Sequence, residues 1–108
     1  MNLLFEEYVK TNKAAFIDKV KSISTKLLID PDWLMAVMWK ESRLNEKAVN
    51  PKGGATGLIQ FMPATAQSLG TTTAALKAMS NVQQLDYVYK YYKPYITKLN
   101  SYLACVAH

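Results

Sequence analysis

Phe16, Val20, Ile23 and Leu27 recur at spacings of four, three and four, one face of an α-helix, and predict a helix from about residue 13 to 28. A shorter turn or helix over residues 2 to 10 precedes it. Asp30-Pro31-Asp32 then signals a second helix start. An Asp side chain can accept hydrogen bonds from free amides, Pro suits the first helical position, and a further acid complements the positive end of the helix dipole. This helix is predicted from Pro31 to about Leu44, with Leu34, Val37, Met38 and Leu44 as its apolar face. Residues 50 to 57 collect three of the four glycines and one proline, which predicts a loop with positive-φ or close-approach positions. Pro63 opens a helical segment that stops at Gly70, and Thr73 is placed to cap a short helix over Ala74 to Met79.

Ser80-Asn81-Val82-Gln83 has the form of a capping box, in which a hydroxyl and an amide satisfy each other's backbone N–H. Behind it Val82, Leu85, Tyr89 and Tyr92 make an apolar stripe. Pro94 kinks this helix or starts the next, whose stripe is Ile96, Leu99, Leu103 and Val106. No convincing period-two run occurs, so the expected fold is all-α, and the length suits a single domain over residues 1–108 with no internal repeat.

Composition narrows the chemistry. The only His is His108, which leaves no Ser-His-Asp or Cys-His site, and one Cys with one His cannot supply the ligands of a zinc centre. No metal and no cofactor are called for. Cys105 alone forms no internal disulfide. The longest apolar run, Trp33 to Trp39, is far short of the roughly 20 residues that span a bilayer, so no membrane span is expected. The N-terminus carries Glu6 and Glu7 where an export signal would carry basic residues.

The net charge is +5, and beyond residue 50 the only acid is Asp86, so carboxylate chemistry belongs to the first half. The basic surplus reads as ordinary solubility or as attraction to an anionic polymer. Nucleic acid is not an expected partner, because Arg43 is the only Arg available for bidentate base recognition.

One acid breaks its pattern. Glu41 lies seven residues after Leu34, four after Val37 and three from both Met38 and Leu44, on the predicted apolar face. Apolar neighbours strip hydration from a carboxylate and raise its pKa toward the range of a general acid. The other reading is a Glu at the edge of the stripe, paired with a Lys and inert. Further on, Gln60 places an amide in an apolar stretch, where it satisfies its own loop or meets a ligand's hydroxyl or acetamido group.

Glu41-Ser42, followed after the Gly-rich loop by Gly57-Leu58-Ile59-Gln60-Phe61-Met62-Pro63-Ala64-Thr65-Ala66 and then by Leu69-Gly70, resembles the E-S…G-L-M-Q-x-M-P-x-T-A signature of soluble lytic transglycosylase (SLT) domains of the goose-lysozyme-like superfamily. The resemblance covers about residues 27–93. Three departures stand out: Asn45-Glu46 replaces a frequent Asn-Pro, the Gly-rich loop is about one residue longer, and the late A-Y-N-A-G motif has no Tyr counterpart in Leu103 to His108. The chain ends in an apolar run, as a domain truncated at its C-terminus would.

The resemblance implies a compact lysozyme-like helical domain that acts on the glycan strands of bacterial peptidoglycan, as a monomer. It implies cleavage of the β-1,4 bond between N-acetylmuramic acid and N-acetylglucosamine, with formation of 1,6-anhydro ends and Glu41 as acid and then base. A conventional glycosidase needs a second carboxylate, and none is obvious near the motif. Gln60 and the Gly57-Leu58 backbone would hold the sugar. Ser42 would orient the carboxyl group or act as a back-bonded surface hydroxyl, and Met62 would pack in the core or edge the groove. Tyr87 and Tyr91, four apart on one face, are the candidates for stacking on sugar rings, with packing as their other reading. A lysozyme-type muramidase and a wall-binding or phage structural module remain as alternatives. A wall substrate without an export signal points to a phage lysin or a piece of an exported protein.

Overall fold

The computed structural model describes the backbone of residues 2–106 and the side chains of residues 2–95. Five α-helices follow a single 3-10 turn at Glu6–Tyr8: α1 (Lys13–Leu27), α2 (Pro31–Ser42), α3 (Pro63–Ser68), α4 (Thr73–Ala78) and α5 (Asn81–Val106). Among the described residues the only extended pairings are two isolated antiparallel bridges, Val49 with Thr56 and Thr56 with Phe61. The fold is all-α, as expected. Residues 107 and 108, and the side chains of the stripe Ile96, Leu99, Leu103 and Val106, lie outside the described residues, as does the predicted counterpart of the late Tyr motif.

The start signals act as their chemistry dictates. Asp30 Oδ1 accepts from the Asp32 N–H at 2.8 Å with Pro31 at the first helical position. Ser80 and Gln83 form the reciprocal capping box: Ser80 N–H donates to Gln83 Oε1 at 3.0 Å, and Gln83 N–H donates to Ser80 Oγ at 3.1 Å. One predicted cap moves by a residue. Thr72, not Thr73, caps α4 by accepting from the Ala75 N–H at 3.0 Å. The chain also passes through Pro94 without ending α5, which continues to Val106.

α1 packs against both α5 and α2. Phe16, Val20 and Ile23 of α1 cluster with Leu34, Met35 and Met38 of α2, Leu85 and Val88 of α5, and Leu58, Phe61 and Leu76 from the shorter elements, all nearly or fully buried. Each such side chain stabilises the fold by about 1.5–3 kcal/mol relative to exposure. Ahead of α1, residues 2–12 form a strap across α2. Phe5 stacks on Trp39 at 4.8 Å, Tyr8 meets the same ring at 4.5 Å, and the Leu4 N–H donates to Asp32 Oδ1 at 2.8 Å.

Two helix faces are turned relative to the predicted stripes. In α2 the buried residues are Leu34, Met35, Met38 and Ser42, with Val37 only partly buried. In α5 they are Asn81, Gln84, Leu85 and Val88, while Val82, Tyr89 and Tyr92 are partly exposed. Both turns have one cause. Polar groups that reach partners inside, Ser42 and Gln84, take core positions that a hydrophobicity pattern assigns to their apolar neighbours.

Gln84 is fully buried and its carboxamide is fully used. Its Oε1 accepts from the Leu58 N–H at 2.6 Å, and its Nε2 donates to the carbonyls of Leu76 at 2.9 Å and Glu46 at 3.0 Å. Gly57 is required beside it. With φ of 89°, it leaves no room for a Cβ, which would collide with the Gln84 carboxamide.

The helix-bearing core ends where the backbone is strained. Arg43 and Leu44 both adopt left-handed conformations, with φ of 58° and 62°, so α2 stops at Ser42 and not near Leu44 as its apolar periodicity suggests. For non-glycine residues this costs roughly 1–2 kcal/mol each. It sends the chain back beside α2 into the loop of residues 45–62.

Replacing Gln84 by Leu strands three backbone groups and is expected to lower the unfolding free energy by about 3 kcal/mol. By contrast, Ser24→Ala removes a buried hydroxyl that has no partner, and is expected to be neutral or stabilising by up to about 1 kcal/mol. Urea melts of both variants against the parent chain check the opposite signs.

Candidate active site

Glu41 sits on the last turn of α2 and is exposed. The expectation that apolar neighbours enclose it is not met, because α2 is turned so that Met35 and Ser42 face inward and Glu41 falls at the edge of the buried stripe. Its charge nonetheless acts on one side chain of α5. Tyr92 of α5 has its pKa pushed up to about 12 from the ordinary 10.0, first by burial, then by Tyr91 and by the negative charge of Glu41.

An aromatic row connects the helix that carries Glu41 to the loop. Trp33 of α2 meets Tyr92 edge-on at 5.6 Å, Tyr92 meets Tyr91 at 5.0 Å, and Tyr91 meets Phe61 at 6.3 Å. Tyr95 continues the row from Tyr91 at 5.5 Å. Burial, followed by the neighbouring Tyr95, also raises the pKa of Tyr91. Such edge-to-face pairs have the geometry that aromatic quadrupoles favour. They hold Tyr92 between Trp33 and Tyr91 and leave Trp33 half exposed as a flat apolar surface.

The loop lies against α2 through Ser42. Its hydroxyl is 2.8 Å from the Leu58 carbonyl oxygen and 3.1 Å from that of Met38. Ser42 is buried, so its hydroxyl binds backbone and does not orient the carboxyl group of Glu41. Leu58 is fully buried, its N–H given to Gln84 and its carbonyl to Ser42. The Gly57 N–H donates to the Ala48 carbonyl at 2.8 Å. The backbone of Gly57-Leu58, expected to grip a sugar, is thus committed inside the protein and shapes the loop.

Gln60 adopts φ of 59° and its Nε2 donates to the carbonyls of Gly57 at 3.0 Å and Ala48 at 3.2 Å. Its amide N–H groups satisfy its own loop, the plainer of the two readings, while the residue stays partly exposed. Met62 is 48% exposed, at the surface and not in the core. Tyr91 belongs to the aromatic row. Tyr87 lies outside it, its ring 4.7 Å from Lys90 Nζ.

Three important residues escaped the sequence reading. Gln84 was hidden beside the apolar stripe, although its place four residues before Val88 put it on the inward face. Tyr92 ends the predicted apolar stripe and is only partly buried. Trp33 begins a seven-residue apolar run, and no helix can bury such a run on one face, so some of its large side chains had to reach the surface.

Of the other acids, Asp30 and Asp32 accept backbone N–H groups at the far end of α2. Glu6 accepts from the Leu3 N–H, and Asp86 pairs with Lys19 at 2.9 Å. Asp32 is nine residues before Glu41 in the same helix, roughly 13 Å along its axis. The separation of paired catalytic carboxylates in glycosidases is about 5–9.5 Å.

A family model described as Transglycosylase SLT domain matches residues 18–107. No solved structure matches the chain. The matched span includes α2, the loop and α5, and leaves out the strap of residues 2–12.

Because the folded chain holds Tyr92 protonated while an unfolded chain lets it ionise near pH 10, stability is expected to fall as pH rises from about 10 to about 12. Ultraviolet titration should show a late-ionising tyrosine that is absent in Tyr92→Phe. That variant should also lose part of the alkaline destabilisation.

Proposed function

Because the chain belongs to the Transglycosylase SLT domain family, we propose that it is a lytic transglycosylase of peptidoglycan in which Glu41 is the sole catalytic carboxylate. The observation that supports this reading most is the placement of the acids. Glu41 stands exposed on α2 and its charge acts on Tyr92 of the aromatic row, whereas Asp30, Asp32, Glu6 and Asp86 are committed to backbone amides or to Lys19, and Glu7, Asp18 and Glu46 lie outside α2.

In this reading the protonated Glu41 gives its proton to the oxygen of the β-1,4 bond between N-acetylmuramic acid and N-acetylglucosamine. The bond breaks with its electron pair on that oxygen, and the muramoyl N-acetyl oxygen stabilises the charge at the sugar carbon. Glu41, now a base, takes the proton of the muramoyl 6-hydroxyl, whose oxygen attacks the same carbon and closes a 1,6-anhydro ring. Water does not enter the product, and Glu41 ends protonated, ready for the next turnover.

Exposure of Glu41 suits a site that its substrate completes. A glycan strand lying on Trp33 and Tyr92 displaces water, and a carboxyl group in drier surroundings favours its neutral, donating form. Tyr92, kept protonated, then supplies an O–H donor to the carboxylate formed after the first step. In this reading the partly exposed Gln60 and the exposed Met62 would meet the strand from the loop side, Tyr91 supports Tyr92 through their ring contact, and Tyr87 would be a more distant contact. Ser42, Gly57 and Leu58 act through the loop they hold. The substrate places the work of the enzyme at the bacterial wall, as a phage lysin or as part of an exported protein.

Digestion of purified peptidoglycan, with fragments analysed by mass, tests the reading. The parent chain should release fragments with 1,6-anhydro ends, and Glu41→Gln should lower the rate by about 10²–10⁴-fold. Tyr92→Phe, which loses one charge-assisted hydrogen bond, should lower it by about tenfold or more with little change in fold. Hydrated reducing ends would mean a muramidase, and no release from the parent chain would mean a wall-binding module.

A further inference from the structure

Trp39 stands two residues before Glu41, and three side chains converge on its ring. Phe5 of the strap lies nearly parallel to it, 4.8 Å between centres and 10° between planes, and Tyr8 of the strap meets it at 4.5 Å. The guanidinium carbon of Arg43 is 4.8 Å from the same ring centre. Stacked rings and a cation over an indole are both arrangements that an aromatic quadrupole favours. The proton transfers make no use of them. The strap is anchored on either side of these rings. Leu3 and Val9 are buried in the core, the Leu4 N–H donates to Asp32 at the start of α2, and Asn81 of α5 donates from Nδ2 to the Thr11 carbonyl at 2.9 Å. Phe5 itself adopts φ of 62°, a left-handed conformation that a phenylalanine keeps only where its surroundings hold it.

Trp39 is also tied to the turn that ends α2. Its carbonyl accepts from the Arg43 N–H at 2.9 Å, and the Met38 carbonyl accepts from the Leu44 N–H at 3.2 Å. The two left-handed residues are thus closed back on the residue whose ring the strap holds. Glu41 lies inside this closure. Each helical residue turns the chain by about 100°, so Trp39 and Glu41, two apart, point to nearly opposite sides of α2. The strap therefore braces the last turn from behind and leaves Glu41 exposed.

We propose that Trp39 is a positioning residue and the strap its clamp: the rings of Phe5 and Tyr8 hold the last turn of α2, and through it the carboxylate of Glu41, where the proton transfers take place. This rests on the reading of Glu41 as the catalytic acid. The strap precedes residues 18–107, the span matched by the family model, so the clamp is supplied from outside that span. A misplacement of about 1 Å at a reacting group costs up to about 10²-fold in rate, which is the scale on which a loosened turn acts.

The test replaces both rings, Phe5→Leu together with Tyr8→Leu, in the full chain, where Leu3, Val9 and the hydrogen bonds of Leu4 and Thr11 keep the strap attached. Amide hydrogen exchange gives a first readout that needs no catalysis. The Arg43 and Leu44 amides should exchange about tenfold faster than in the parent, relative to the Val88 amide of α5. The second readout is release of anhydro fragments at a temperature where circular dichroism shows every variant folded. There kcat should fall about 10–100-fold with KM unchanged. Trp39→Leu should do the same, and Trp39→Phe, which keeps a ring, should keep most of the rate. Ile23→Val, which trims the core on α1, should leave kcat at the parent value. Exchange at Arg43 and Leu44 that keeps step with Val88 would overturn the proposal. So would a strap without rings that leaves kcat unchanged, or an equal loss in Ile23→Val, which would make the effect one of general stability. If the parent chain releases no fragments, the transglycosylase reading fails, and the exchange readout alone still decides whether the strap clamps the turn.

Discussion

Gln84 is the point on which the architecture of the site depends. A carboxamide with no access to water must find partners for its oxygen and both N–H groups, and unsatisfied buried groups each cost about 1–3 kcal/mol. Here the partners are the Leu58 N–H and the carbonyls of Glu46 and Leu76. One side chain therefore ties α5 to the loop, to the segment after α2 and to the end of α4. Gly57 follows from it, since any Cβ at that position would occupy the space of the carboxamide. Ser42 completes the lock from the opposite side by bonding the Leu58 carbonyl.

That lock explains why Glu41 is where it is. With Ser42 drawn inward, Glu41, the residue before it, is rolled to the rim of the buried face. The strained pair Arg43 and Leu44 reverses the chain immediately afterwards, so the loop returns beside the same helical turn. Across the rim, the aromatic row from Trp33 through Tyr92 and Tyr91 to Phe61 joins α2, α5 and the loop. The result is an exposed carboxylate whose charge acts on Tyr92, a member of that aromatic row. The SLT family to which the chain belongs acts on peptidoglycan, and this row has the flat apolar character that sugar rings favour.

Much of this was legible from residues alone. Caps and breakers acted locally, so Asp30-Pro31-Asp32, the Ser80–Gln83 box and the glycines of the loop told the truth about element starts and turns. The order of Glu41-Ser42 and the Gly57 to Ala66 motif pointed to the family. Helix rotation was less accessible, because it depends on where polar side chains find partners across the fold. Ser42 and Gln84 are core residues because both find backbone partners inside, with Leu58 shared between them. For the same reason the motif residues Gly57 and Leu58 were expected to grip a ligand, whereas their backbone groups hold the loop together. Tyr92 meets Trp33 because α5 and α2 both pack on α1, an arrangement that no local spacing encodes.

The central claim is that a single carboxylate, held at this rim, carries both proton transfers and leaves water out of the reaction. Digestion of purified peptidoglycan in ¹⁸O-labelled water tests it directly. The account predicts muramoyl ends that carry no heavy oxygen, whatever the extent of cleavage. Incorporation of one ¹⁸O at each new muramoyl end would show that water attacks the sugar carbon, and would contradict it.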